Sequence, residues 1–274
     1  MAHSGPSGID RAALRHGLYE DGIIGLKGAF EPGLADRLHG EIMALYAEAR
    51  ATPGGALPRG PERWYVEVQP ERISAFVRIT THPWFVAVCE TVLGPDYRIV
   101  EVGFDIPFPG AADQPWHRDF AMPAATSRDR RLNSLAFNLT TVDTRPEHGP
   151  FEIAPGTQWD TFEGCPKGMF PPPALWPGYA ARAVRKLPRR GDMSARSALT
   201  VHRGTANRSD EPRPVLVIGV DAPDATNGDH HDLQVTRAFL DTLPEGLRVR
   251  LAARIVDRLE PAIQHHVIQG LLQP

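Results

Sequence analysis

Between Arg98 and Val220 the chain is a series of short extended runs punctuated by Gly, Pro and Asp: Arg98–Ile106, Trp116–Phe120, Leu132–Asp143, Gly149–Pro155, Ser197–His202 and Pro214–Val220. Several short runs of this kind, separated by turn residues, predict a β-sandwich or jelly roll. The flanks read differently. Ile9–Tyr19 is a short helix and Gly22–Leu26 a short strand. Pro32–Arg50 places Leu34, Leu38, Ile42, Leu45 and Ala49 close to helical period. Pro53–Pro61 breaks that helix into a loop, Trp64–Val68 is a strand, and Pro83–Leu93 is a helix stopped by Gly94-Pro95. Gly164–Arg190 is Pro-rich and irregular, long enough for a functional loop or lid. Val235–Glu260 returns to helical period, with Leu247, Leu251, Ile255 and Leu259 on one stripe, and Ala262–Leu272 adds a last helix. No linker divides the chain. The expectation is one domain over residues 1–274, mainly β with flanking helices: a helical part at about 9–95, a jelly-roll core at about 97–220 and a helical part at about 235–272.

Composition excludes several classes. At 274 residues the chain can bury a substantial core, and a net charge of −3 implies no general attraction to nucleic acid or membrane. No apolar run reaches the ~18 residues of a membrane span. Met1–Gly8 is a small polar tail, not a signal peptide. The two cysteines, Cys89 and Cys165, form no close pair, which argues against a Cys-type zinc site or disulfide framework and fits a reducing, cytoplasmic compartment. Arg outnumbers Lys 27 to 3, which reads as codon bias.

Gln114–Phe120 reads Gln-Pro-Trp-His-Arg-Asp-Phe. In an extended strand His117 and Asp119 point the same way, roughly 6–7 Å apart along the backbone. One metal with bonds of about 2.0–2.2 Å can collect both. Two histidines and one carboxylate on one face of a metal leave the other face open, as in non-haem Fe(II) oxygenases. The motif is weak alone: with 11 His and 18 Asp in 274 residues, chance supplies roughly 0.7 His-x-Asp matches, and His230-His231-Asp232 is a second one.

The surroundings of two later residues strengthen it. His202 ends Ala-Leu-Thr-Val-His, where a strand would put Thr200 and His202 on one face and Leu199 and Val201 on the other. A polar face inside a barrel needs ligands or hydrogen-bond partners. Eleven residues on, Arg213 opens Arg-Pro-Val-Leu-Val-Ile-Gly-Val. A charge entering an apolar strand needs an anionic partner if it faces inward, and the planar Arg fork suits a carboxylate. Arg213 can hold the distal carboxylate of a small diacid whose other end chelates iron, and 2-oxoglutarate is the natural candidate.

Three stretches carry a family resemblance: Gln-Pro-Trp-His117-Arg-Asp119-Phe; Glu147-His-Gly-Pro-Phe-Glu-Ile-Ala-Pro-Gly-Thr-Gln158; and Gly191-Asp192 through His202-Arg-Gly-Thr-Ala-Asn207 to Arg213. Together they resemble the phytanoyl-CoA dioxygenase family of iron(II)/2-oxoglutarate-dependent oxygenases, which includes ectoine hydroxylase. Asp21-Gly22 and Leu93-Gly94-Pro95 match its strand start and Leu-Gly turn, so the resemblance spans about Asp21 to Val220. It implies a double-stranded β-helix of cupin-like form. It also implies iron held by His117, Asp119 and His202, with 2-oxoglutarate held by Arg213 and O2 as the oxidant. The reaction implied is decarboxylation of 2-oxoglutarate to succinate coupled to oxidation of a C–H bond in a small molecule. Hydroxylation is the default outcome; desaturation, ring closure or epimerisation need only a different fate for the substrate. A tailoring step in natural-product biosynthesis is the expected setting. Departures are Thr157-Gln158 in place of the usual Ser-His, and Gly204 where several members place a Ser that touches 2-oxoglutarate. Asp119 argues against halogenation, because halide-using relatives lack that carboxylate.

Further candidates are weaker. Asn207, on the co-substrate side, reads first as ordering the turn after His202. Asn138 lies opposite Leu135, Phe137 and Leu139 and either faces the cavity or is an ordinary strand polar group. His230-His231-Asp232 reads as solvated surface. Arg128, Arg130 and Arg131, and Arg182, Arg185, Lys186, Arg189 and Arg190, can receive an anionic substrate but read first as solvated faces. Trp64, Tyr65, Phe104, Met122, Trp159 and Trp176 either line a pocket or fill the core; Arg128, Trp64 and Trp159 are the substrate candidates. Two other classes share these residues: a catalytically silent jelly-roll binding protein, and a zinc hydrolase on the same ligands, which the Arg213 spacing disfavours.

Overall fold

The computed structural model describes residues 8–162, 168–226 and 231–263. Cys165, His230 and most of the helix expected at Ala262–Leu272 lie outside them. The helices are α1 (Arg11–Glu20), α2 (Pro32–Ala51), α3 (Phe76–Thr80), α4 (Pro83–Val92), α5 (Ala124–Asp129), α6 (Trp176–Arg182), α7 (Arg237–Thr242) and α8 (Glu245–Arg248). The strands are β1 (Ile23–Leu26), β2 (Leu57–Pro58), β3 (Arg63–Glu67), β4 (Arg98–Pro107), β5 (Ser134–Thr140) and β6 (Phe151–Ile153), then β7 (Val184–Arg185), β8 (Met193–Ser197), β9 (His202–Gly204), β10 (Val215–Asp221), β11 (Gln234–Thr236) and β12 (Arg254–Val256). Helix starts follow local chemistry. The Asp10 carboxylate accepts from the Ala13 amide at 3.0 Å, and Pro32 and Pro83 occupy first turns, where a missing N–H costs nothing.

Seven strands form an antiparallel sheet in the order β1-β8-β5-β10-β4-β3-β2, three form a second sheet, β7-β6-β9, and β11 pairs with β12 in parallel. Side-chain alternation divides the large sheet. Leu135, Phe137 and Leu139 of β5, Leu216, Ile218 and Val220 of β10, and Val102, Phe104 and Ile106 of β4 pack with Leu38, Ile42, Phe85 and Val88 of the N-terminal helices in one apolar core. The alternate residues, among them Ser134, Ala136, Asn138, Glu101, Asp105, Val217 and Gly219, line a cavity whose opposite wall includes Phe151, His202 and Gly204 of the small sheet. A large and a small sheet enclosing a cavity, with helices behind the large one, is a double-stranded β-helix of the jelly-roll kind.

Three expected elements differ. Ser197–His202 is not one strand: Ser197 ends β8, residues 198–200 turn, with the Thr200 amide donating to the Ser197 carbonyl at 3.1 Å, and His202 begins β9. The chain crosses here from one sheet to the other, so Thr200 and His202 do not share a strand face, and the Thr200 hydroxyl donates to the Gly22 carbonyl. Trp116–Phe120 joins neither ladder; His117 makes a single antiparallel bridge to His202. The stripe in Val235–Glu260 is not helical. Leu243, ahead of Pro244, is extended and ends α7. Leu247 and Leu251 are buried but Ile255, in β12, is 45% exposed. In the N-terminal part the strands expected at Gly22–Leu26 and Trp64–Val68 form as β1 and β3 and join the large sheet, and β2 adds a short strand within the expected loop at Pro53–Pro61.

Phe137 fixes the large sheet to α4. It is 2% exposed, its ring lies 4.0 Å from that of Phe85, and Trp84 meets it edge-on at 6.1 Å. Phe137→Ala is expected to destabilise the fold by about 3–5 kcal/mol, the usual cost of such a cavity; urea unfolding checks this, and a loss below about 1 kcal/mol would contradict the packing.

Candidate metal and co-substrate site

His117 and His202 are held together by their own backbones. The His117 amide donates to the His202 carbonyl at 2.9 Å and the His202 amide to the His117 carbonyl at 2.8 Å. The Asp119 amide donates to the Ala198 carbonyl at 2.9 Å, and Arg118 between them bonds the other way, to the Met169 carbonyl. This keeps extended alternation without a ladder, so His117 and Asp119 face one side. Arg118 faces the other, over the Phe162 ring at 3.9 Å, and donates to the Asp160 carbonyl.

One ligand atom each from His117, Asp119 and His202 lies within 4.8 Å of the others. His117 Nδ1 is 2.8 Å from the Pro115 carbonyl and His202 Nδ1 is 2.9 Å from the Thr200 carbonyl. Those contacts make both Nδ1 atoms donors, so Nε2 is the free acceptor on each ring. His202 Nε2 lies 3.4 Å from an Asp119 oxygen. Burial lowers His117 to about 4, against the opposing pull of Pro115 and Asp119. Burial, then the Arg196 charge, puts His202 well below its ordinary value. Both rings are neutral at pH 7, the form a metal takes. Two neutral imidazoles and one carboxylate, with the second nitrogen of each ring tied to a carbonyl, fit a divalent transition metal.

Sequence reading missed Arg196. It lies on the cavity face of β8, and its Nη1 and Nη2 meet the two Asp119 oxygens at 2.5 and 3.2 Å. The grip orients the carboxylate as a neighbouring group orients a ligand. Its signal, an arginine inside a small-residue strand, is hidden in the sequence because β8 begins at Met193, four residues ahead of the extended run expected at Ser197–His202.

Arg213 stands just ahead of β10, 5% exposed, at the cavity wall. Its Nε donates to the His148 and Gly149 carbonyls at 3.2 and 3.1 Å, and among the described residues its two Nη groups have no hydrogen-bond partner. Burial, with the nearby charge of Arg63, lowers it to about 10, so it stays cationic at pH 7. Gly149 takes a left-handed φ of 69°, and a Cβ there would stand 2.6 Å from the Thr205 carbonyl. Glycine is therefore needed to bring that carbonyl-bearing turn against Arg213.

The cavity measures about 780 Å³ and takes in His117, Asp119, His202, Arg213 and Asn138, a size usual for small-molecule sites. Other expected residues lie elsewhere. Asn207 does not line it; its amide donates to the Pro107 and Glu211 carbonyls and its Oδ1 accepts from Ser209, so it orders the turn leading to Arg213. Trp64 stacks under Arg50, and Trp159 donates to the Tyr19 carbonyl beneath Arg130. Arg128 is exposed and paired with Asp129. None of these three lines the cavity. Of the basic clusters, Arg131, Arg182, Arg185 and Arg190 pair with Asp224, Asp160, Glu152 and Asp36. Lys186 differs: it lines the cavity, has no ion pair among the described residues, and burial lowers its pKa. The departures from the family pattern have structural work: Thr157 Oγ1 bonds the Ala154 carbonyl, and the Gln158 amide donates to the Tyr19 and Glu20 carbonyls at the end of α1.

His231 is not solvated surface. Its Nδ1 meets Glu67 at 3.0 Å, its Nε2 lies 3.7 Å from Glu101, and Glu101 also accepts from the Tyr65 hydroxyl; His231, Glu101 and Tyr65 line the cavity. Burial is the largest single influence on its pKa and acts downward, but Glu101, Glu67 and the more weakly acting Asp221 together outweigh it and hold His231 up at about 9.

Fold and site together define a class, the non-haem iron oxygenases that use 2-oxoglutarate. The sequence profile of the phytanoyl-CoA dioxygenase (PhyH) family matches residues 18–215, and the chain belongs to that family. Its cofactors are therefore iron and 2-oxoglutarate, with O2 as co-substrate. Among solved structures the fold is similar to SnoK, a non-haem α-ketoglutarate-dependent carbocyclase from nogalamycin biosynthesis, at 20% identity and a TM-score of 0.61 over 81% of this chain and 89% of that one. HygX from Streptomyces hygroscopicus, with nickel and 2-oxoglutarate bound, matches at 14% and 0.60 over 83% and 91%. EctD from S. alaskensis, with 2-oxoglutarate and 5-hydroxyectoine, matches at 15% and 0.62 over 81% and 79%. No curated protein sequence matches.

Two predictions follow from these contacts. Arg196→Leu leaves Asp119 without its orienting partner and is expected to weaken Mn(II) binding 10–100-fold by calorimetry; unchanged affinity would contradict the role. His231 has a folded pKa above the ordinary 6.5, so its stabilisation, at most about 3 kcal/mol, is full below pH ~6.5 and lost as pH rises through ~9. The melting-temperature gap between wild type and His231→Gln should therefore narrow from pH 6 to pH 9.5; a constant gap would exclude the charge pairing.

Proposed function

We propose that the chain hydroxylates a C–H bond of a small molecule, with iron bound by His117, Asp119 and His202 and 2-oxoglutarate anchored by Arg213. The observation that carries this reading is a single cavity holding two kinds of unused group. Three ligand atoms lie within 4.8 Å of one another, and a buried guanidinium has both Nη groups free of hydrogen bonds among the described residues. A buried cation without an anion is costly, and a diacid bound at one end by a metal supplies that anion. A silent binding protein would have no need of both.

Iron with 2-oxoglutarate and O2 supplies the oxidising power. The protein's own part is positional. Pro115 and Thr200 fix the tautomer that leaves Nε2 of each imidazole to the metal, and Arg196, bound to both Asp119 oxygens, fixes the plane in which that carboxylate is offered. Arg213 sets the register of the co-substrate along the cavity. Ile24, Leu26, Phe120, Met169 and Leu187 give the remaining wall its apolar character, which keeps water from the reacting carbon. Arg59 and Lys186, cavity cations that form no ion pair among the described residues, suit a substrate with an acidic group. A tailoring role in natural-product biosynthesis fits the similarity to SnoK, and a cytoplasmic setting belongs to the same reading; no helix among the described residues is long and apolar enough to cross a membrane.

Anaerobic addition of Fe(II) and 2-oxoglutarate is expected to give a weak visible charge-transfer band, weakened at least tenfold in co-substrate affinity by Arg213→Ala. His117→Ala should abolish succinate release against a panel of candidate metabolites. Wild type without a band would refute the assignment.

A further inference from the structure

We propose that Arg63 is a second cation of the co-substrate site, so that the end of the cavity away from the metal receives the distal carboxylate of 2-oxoglutarate between two guanidinium groups. The inference rests on reading this cavity as a 2-oxoglutarate site. Arg63 opens β3 and is 2% exposed, among the most buried large side chains of the described residues. It lines the same cavity as Arg213 and Gly204. Its Nη1 meets Asp105 at 3.0 Å and Gln114 Oε1 at 3.4 Å, and its Nη2 donates to the Thr205 carbonyl at 3.1 Å. Its Nε is fully buried and has no acceptor.

Gly204 shows how closely the space is shared. A Cβ at Gly204 would lie 2.1 Å from Arg63 Nη1 and 2.5 Å from Cζ. The guanidinium occupies the volume that a side chain at 204 would fill, and Gln114 locks the pair by accepting from the Gly204 amide at 3.0 Å as well as from Arg63. Arg63 is also near enough to Arg213 for its charge to press on that residue.

Charge decides the ligand. Arg63 and Arg213 bring two positive charges to this end, and Asp105, which acts on both, brings one negative. One positive charge is left over in a buried place, together with the unused Nη groups of Arg213. A carboxylate balances the charge and accepts from these donors. A neutral or cationic group does neither.

The test compares 2-oxoglutarate with 2-oxopentanoate, which keeps the chelating end and lacks the distal carboxylate. Both are titrated anaerobically into the Fe(II) enzyme by the visible band and into the Mn(II) enzyme by calorimetry. Arg63→Met is expected to weaken 2-oxoglutarate at least tenfold and 2-oxopentanoate less than threefold. Gly204→Ala, which must push the guanidinium aside, should show the same selective loss, and it carries the test if Arg63→Met does not fold. Selective loss in Arg213→Ala with none in the Arg63 and Gly204 variants would overturn the inference and leave the 2-oxoglutarate reading intact. Equal weakening of both ligands would also overturn it, since that is what a purely structural Arg63 gives. A wild type that prefers neither ligand would remove the underlying reading.

Discussion

The paired amide–carbonyl bonds between His117 and His202 are the constraint on which the site depends. They join segments 85 residues apart in sequence (202 − 117 = 85) through two contacts of 2.9 and 2.8 Å. Everything metal-related follows from that pairing. His117 brings Asp119 with it by alternation, and His202 brings the small sheet. Because the contacts are backbone to backbone, side-chain changes in the cavity can alter chemistry without dissolving the geometry. The pairing is also short, a single bridge and not a ladder, so it relies on Ala198, Pro115 and Thr200 to fix the orientations that a longer strand would have imposed.

The cavity is organised as a charged line. Asp119 and its Arg196 partner mark one end, and Arg213, Arg63 and Asp105 the other. Between them the sheet offers small or neutral side chains, Ala136, Asn138, Val217 and Gly219. Small residues there leave volume, and the charges at the ends fix direction. A diacid bridging the two ends satisfies both sets of groups at once, a stronger requirement than either end makes alone. His231, Glu101 and Tyr65 form a third polar wall, self-satisfied with the help of Glu67 on His231, which limits what the rest of the space can accept.

The tertiary structure also explains departures from the family pattern. Gly204 lacks a side chain because Arg63 fills its place. Gln158 is tied to the end of α1, bonding carbonyls that a helix terminus leaves without partners. Such exchanges keep the local count of donors and acceptors while changing which residue supplies them, and a motif comparison registers only the loss.

The sequence alone was reason to expect the jelly-roll class, through short apolar runs between turn residues, and its resemblance to a family singled out His117, Asp119, His202 and Arg213, the first three of which the structure brings within 4.8 Å of one another. Alternation also made Leu135, Phe137 and Leu139 core and put Asn138 on the other face. Only the tertiary structure decided the rest. Arg63 carries the same signal as Arg213, a charge opening an apolar strand, and Glu101 and Asp105 share one face of β4. But whether such charges meet water, each other or a ligand depends on which strands become neighbours. His231 looked like a polar loop because its partners, Glu67 and Glu101, are more than a hundred residues away. The crossing at residues 198–200 was invisible because a turn of small and apolar residues has the composition of a strand. Local pattern encodes which side of an element faces inward; long-range pairing alone encodes what it faces.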